Sequence, residues 1–126
     1  MKLIANFLVG FIAIEHFGFL ILEMFFWEKP IGLKIFQLTP EFAAATANLA
    51  ANQGLYNGFL AMGLVWSLLT ASEIFSKSLK YFFLACVLIA GLFGWYSVGS
   101  TILFVQAIPA FIAIVLLCRT SLVSEN

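Results

Sequence analysis

The sequence predicts an all-α polytopic membrane protein, with four transmembrane helices in one compact bundle, and three observations lead there. Sixty-three per cent of the 126 residues are apolar and 10% are charged, against roughly 25% charged in an ordinary soluble domain. The apolar residues fall into four runs, each near the roughly 20 residues that a helix needs to cross about 30 Å of hydrocarbon. Clusters of proline, glycine and serine punctuate the runs. The spans are expected at about 3–27, 42–71, 79–96 and 101–118, as a single domain covering residues 1–126.

The first run, Leu3 to Trp27, ends where Pro30 stops a helix from continuing. It has no small-x-small cleavage site and carries Glu15 and His16 in mid-course, which suits a retained helix better than a cleaved signal. Thr39-Pro40-Glu41 then supplies an N-cap, a proline at the first helical position and an acid in the first turn. This second helix should reach about Ala71, with Ser72 to Ser78 as a polar turn. Residues 79–96 make the third span, Ser97 to Thr101 a tight turn, and the fourth span ends at Arg119 with a polar tail beyond it.

Four crossings place Lys2, Lys77, Lys80 and Arg119 on one side and Lys29 and Lys34 on the other. The excess of basic residues predicts a multi-pass membrane protein with both termini in the cytoplasm. Trp27, Trp95 and Tyr96 near one interface, and Trp66 and Tyr81 near the other, populate both aromatic belts. Six basic and six acidic residues, scattered singly, exclude a nucleic-acid-binding surface. Cys86 and Cys118 fall inside spans without metal or redox spacing and read as small buried hydrophobes.

Polar groups interrupt this hydrocarbon at few places, and the densest is Asn52-Gln-Gly-Leu-Tyr-Asn-Gly58. At about 100° per residue, Glu15, His16 and Glu23 share one face of the first helix, and Asn52, Gln53, Tyr56 and Asn57 form a polar arc on the second. Polar side chains in lipid are expensive unless they are satisfied internally or used, so the face of the first helix is expected to look inward. Counting along each span brings Glu23, Asn52, Gln53, Tyr56, Asn57 and Gln106 to overlapping depths, with Glu15 and His16 near the midplane. These eight are the candidate ligand-binding or proton-relay residues. Ala47, Ala51, Gly54, Gly58 and Ala61 form a separate seam of small side chains suited to close helix packing. Pro109 frees a backbone carbonyl in the fourth span, which either shapes a cavity or merely serves packing.

The chemistry open to this set is limited. His16 is the only histidine, the partners nearby are amides and carboxylates, and no zinc, copper or haem ligand spacing occurs, so no metal and no cofactor is assigned. An acid surrounded by hydrocarbon is more stable neutral than ionised, which makes Glu15 and Glu23 candidate proton carriers. No nucleophile elbow, metalloprotease motif or phosphate loop is present, and no catalytic residue is assigned.

The run Glu15-His16, Leu22-Glu23-Met24 and Trp27, Phe36, then Asn52-Gln-Gly-Leu-Tyr-Asn-Gly58, and finally Gln106-x-x-Pro109-Ala110 resembles the DUF-1304 family of small bacterial predicted membrane proteins. The resemblance covers nearly the whole chain, and the Asn-Gln-Gly-Leu-Tyr-Asn-Gly segment is its specific part. Leu20 stands where that family's first helix is expected to carry an aromatic such as tyrosine. The resemblance implies four helices of this size and a shared polar constellation, and brings no established activity.

Three readings of function follow. In the first, the helices enclose a polar site that binds or transports a small ligand, ion or proton. In the second, the protein is a structural or partner-regulating bundle whose amides tie helices and whose seam mediates association, with a second copy among the partners it would suit. In the third, it is an enzyme acting on a membrane-soluble lipid or isoprenoid, with His16 and Glu23 as base and acid. The lipid bilayer is a partner in all three.

Overall fold

The computed structural model describes residues 2–123, with side chains for residues 2–120; residues 124–126 of the polar tail lie outside the described residues. It is all-α, with no strand among the described residues. Helix α1 spans Lys2–Phe25, α2 Pro30–Phe36, α3 Pro40–Leu69 and α4 Glu73–Ser97. Helix α5 has three consecutive parts: a first turn at Ser100–Ile102, a π-helical turn at Leu103–Ala107 and an α-helical stretch at Ile108–Val123.

Local chemistry sets these boundaries. Pro30 does more than end α1: with Lys29 extended at the N-cap it sits at the start of α2, a short helix absent from the sequence expectation. Gln37 closes α2 in the left-handed region at φ 54°, with its N–H on the Leu33 carbonyl. Thr39 caps α3 as expected, its Oγ1 accepting from the Phe42 N–H at 3.3 Å. Ser72 caps α4, accepting from Phe75 N–H at 3.3 Å, and Glu73 complements the helix dipole in the first turn. The polar turn expected at Ser72 to Ser78 is therefore mostly the beginning of α4, because a serine cap followed by an acid starts a helix. At the end of α4, Gly99 takes φ 153°, a conformation that a side chain would strain, and α5 starts at the next residue.

The π turn has a cause in the sequence. Pro109 has no N–H to return to the carbonyl four residues earlier, so the ladder ahead of it widens, and the Ile108 N–H bonds to the carbonyl of Leu103, five residues back. Gln106 lies within this turn.

Among the described residues, three helices are long and apolar enough to cross a membrane: Lys2–Phe25, Glu73–Ser97 and Ser100–Thr120. Helix α3, at 30 residues, has the length, but Asn48, Asn52, Gln53 and Asn57 dilute its apolar character.

The chain divides into two compact units, one formed by Ile14–Ala61 and the other by the residues up to Ala13 and from Met62 onward. In the second of these, Val9, Ile12, Leu64, Leu84, Val87, Ala110 and Ala113 are fully buried. Gly91 lets α4 touch the α5 backbone, since a Cβ there would lie 2.7 Å from the Ala107 nitrogen. Lys80, 6% exposed, donates to Ser76 Oγ at 3.0 Å, and Ser76 Oγ donates to the Ser67 carbonyl at 2.6 Å. Lys2 and Glu73 form an exposed ion pair in the same unit. The unit Ile14–Ala61 holds the end of α1, all of α2 and most of α3, and with them all but one of the eight candidate site residues.

Candidate functional site

Two glycines bring the site residues together within Ile14–Ala61. A Cβ added at Gly54 would lie 2.8 Å from Met24 Cγ and 3.1 Å from both Glu23 Cβ and the Leu20 carbonyl, and one added at Gly58 would strike Leu20 Cδ1. Without side chains at these positions, α3 comes against the face of α1 that carries Glu23. Asn57 then reaches across, and its Nδ2 donates to Glu23 Oε2 at 2.7 Å. Leu20, standing where an aromatic was expected, is the residue on which Gly58 rests.

On the same side of α1, His16 is fully buried, edge-on to Phe19 with ring centroids 5.7 Å apart. It lies seven residues before Glu23, about 10.5 Å along the axis. Glu15 is half-buried, and its Oε2 is buried with no hydrogen-bond partner among the described residues. One end of the unit is pinned by a contact that the sequence did not disclose: Trp27 Nε1 donates to Thr46 Oγ1 at 3.1 Å, and the indole packs on Phe36 at 4.8 Å. The only advance signal was that Trp27 is an interfacial aromatic with one donor to satisfy.

The polar arc of α3 does not act as one surface. Ala43, Ala50, Gly54, Gly58 and Ala61 are buried, and at about 100° per residue they centre about 230° from Asn48. Asn57, at about 180°, borders that buried sector, and Asn52, at about 40°, points directly away from it. Asn52, Gln53 and Tyr56 are exposed, with Tyr56 edge-on to Phe59 at 5.8 Å. Of the packing seam, Gly54, Gly58 and Ala61 are buried, and Ala47 and Ala51 are half-buried. Gln106, half-buried in the π turn of α5, belongs to the other unit.

A family model described as "Protein of unknown function (DUF1304)" matches residues 10–118. The chain belongs to the DUF1304 family. The match takes in Glu15, His16, Glu23, the Asn52 to Gly58 segment and Gln106, so every candidate residue lies within the DUF1304 region. No curated protein and no solved structure matches the chain.

The candidate site of this DUF1304 chain thus contains a carboxyl group held by an amide, a second carboxyl group with an unsatisfied oxygen, and a buried imidazole, the three acid–base groups lying on one helix. Such a set can accept, hold and release protons or coordinate a small polar group. Among the described residues no three His, Cys, Asp or Glu side chains gather as metal ligands would.

Proposed function

We propose that this protein is a four-span protein of the bacterial inner membrane with both termini in the cytoplasm, and that its α1–α3 pair binds or conducts a proton, an ion or a small polar ligand. In this reading α3 is the second crossing, and its glycine face against α1 compensates for its lower apolarity. Three membrane-capable helices and the excess of basic residues on one side support the arrangement.

The observation that carries the reading is Glu15. Its Oε2 is buried in the middle of an apolar helix with no hydrogen-bond partner among the described residues, and a carboxylate is kept in such a place at a cost that use explains better than packing does. Glu23, two turns further on, uses Oε2 to accept from Asn57 and retains Oε1 for an incoming proton or ligand. Full burial of His16 favours a relay or binding role over acid–base catalysis, since a substrate reaches that ring only if the helices part.

Proton or ion flux into proteoliposomes tests this reading. Wild type should conduct, and Glu15→Gln and Glu23→Gln should each abolish the flux while the protein remains folded. Equal flux in wild type and both variants removes the carboxylates from any such role. A structural reading has one observation in its favour, the Glu23–Asn57 tie between helices, and it predicts that breaking the tie with Asn57→Leu changes stability alone.

A further inference from the structure

Along α3, Ala45, Asn48, Asn52, Leu55 and Phe59 recur at intervals of three, four, three and four residues, and all five are exposed. The same spacing continues through Met62, Trp66 and Leu69, which are exposed as well. Residues at this spacing line one face of the helix, the geometry that the seam of a parallel helix pair uses. The register places two amides on the exposed side of α3, with Asn52 directly opposite the buried sector and Asn48 about 50° from that direction.

Those amides are the reason to expect a partner there. Thr46, which holds the interfacial Trp27 indole, lies six residues before Asn52, so Asn52 sits about 9 Å further along the helix. With α3 in the membrane, that depth is within hydrocarbon, where the two donors and the carbonyl acceptor of an exposed primary amide have no partners. Lipid tails offer neither. An asparagine is both donor and acceptor, so it is complementary to itself. Two copies in one membrane with the same orientation are related by an axis along the membrane normal, which brings Asn48 opposite Asn48 and Asn52 opposite Asn52. Ala45 in this seam and Ala44 beside it, both exposed, are small enough for the two backbones to approach and for the amides to meet.

We infer that the exposed Asn48–Asn52 face of α3 is a homodimer interface, in which paired asparagines from two copies satisfy one another and set the register. A polar pair at a seam position is a known means of choosing one oligomeric state and one alignment over others. The inference rests on the proposed placement of α3 as a membrane span, and on none of the ligand chemistry.

Three measurements in liposomes test it, the cysteine variants being made in a Cys86→Ser/Cys118→Ser background. Single-molecule photobleaching should count two copies per particle for wild type, and the Asn48→Leu/Asn52→Leu double variant should need at least about tenfold higher density in the bilayer to dimerise. Asn52→Cys should cross-link between copies, whereas Ile112→Cys on α5 should not. Asn52→Cys should also resist a membrane-impermeant maleimide in the double-variant monomer, made by combining it with Asn48→Leu. Rapid labelling there overturns the membrane placement of α3 and the dimer with it. Slow labelling together with a monomeric wild type, or with a double variant that dimerises as well as wild type, overturns the dimer alone.

Discussion

Asn57 on α3 donates a 2.7 Å hydrogen bond to Glu23 on α1, and this single contact joins the two polar segments that stand out in the sequence. Asn57→Leu removes the donor and leaves a carboxyl oxygen facing hydrocarbon. The variant should lose about 0.6 to 2 kcal/mol of stability, the range of interhelical hydrogen bonds in membranes. Glu23→Gln can still accept from Asn57 through its amide oxygen and should stay within about 0.5 kcal/mol of wild type. Reversible unfolding in bicelles measures both, and equal losses in the two variants would sink the assignment of the bond.

The two glycines against α1 should not be equivalent. A methyl at Gly54 meets the Leu20 carbonyl and Glu23 Cβ, which are backbone and near-backbone atoms, whereas at Gly58 it meets only the end of the Leu20 side chain. Gly54→Ala is expected to cost about 1 to 3 kcal/mol through overpacking. Gly58→Ala should cost clearly less, as Leu20 can change rotamer. Thermal denaturation of the two variants side by side decides the order.

A matched pair elsewhere tests the same reasoning. Gly91→Ala drives a Cβ against the Ala107 backbone at 2.7 to 3.0 Å, while Gly18→Ala meets nothing within 4 Å. The first should destabilise by about 1 to 3 kcal/mol. The second should be neutral or should stabilise by about 0.5 to 1 kcal/mol, the helix-interior preference for alanine over glycine.

Lys80 is buried and gives a hydrogen bond to Ser76 Oγ. Ser76→Ala removes that acceptor and the bond to the Ser67 carbonyl together, and should cost about 1 to 3 kcal/mol. Ser78 is exposed and bonds only to the Ile74 carbonyl of its own helix, so Ser78→Ala should shift stability by less than about 0.5 kcal/mol. Denaturation midpoints of the two alanine variants provide the comparison.

Much of the fold was legible because its signals are local. The apolar runs, Thr39-Pro40-Glu41 at the start of α3 and the interruption at Gly99 act through residues near in sequence, and the helices follow them. Pro109 likewise announced a disturbed backbone, and the π turn is its form. Helix α2 escaped notice because a proline reads equally as the end of one helix and the first turn of the next.

The candidate site was legible only in part. Periodicity placed Glu15, His16 and Glu23 on one side of α1, and composition singled out the Asn52 to Gly58 segment. The family match supports the kinship of that segment without supplying a role for it. What periodicity cannot tell is which sector of an almost uniformly apolar helix turns inward, because lipid and protein interior are equally apolar and leave no hydrophobic contrast to read.

By itself, then, the sequence determined an all-α membrane protein of the DUF1304 family, the starts of α3 and α5, and the two polar segments of α1 and α3. Tertiary structure alone decided that Asn57 turns to Glu23 while Asn48 and Asn52 turn away from the buried side of α3. The reason is the glycine face: where Gly54 and Gly58 let α1 approach, the rotation of α3 is set by how closely two backbones can meet, and the polar residues on either side of that contact take whatever direction remains.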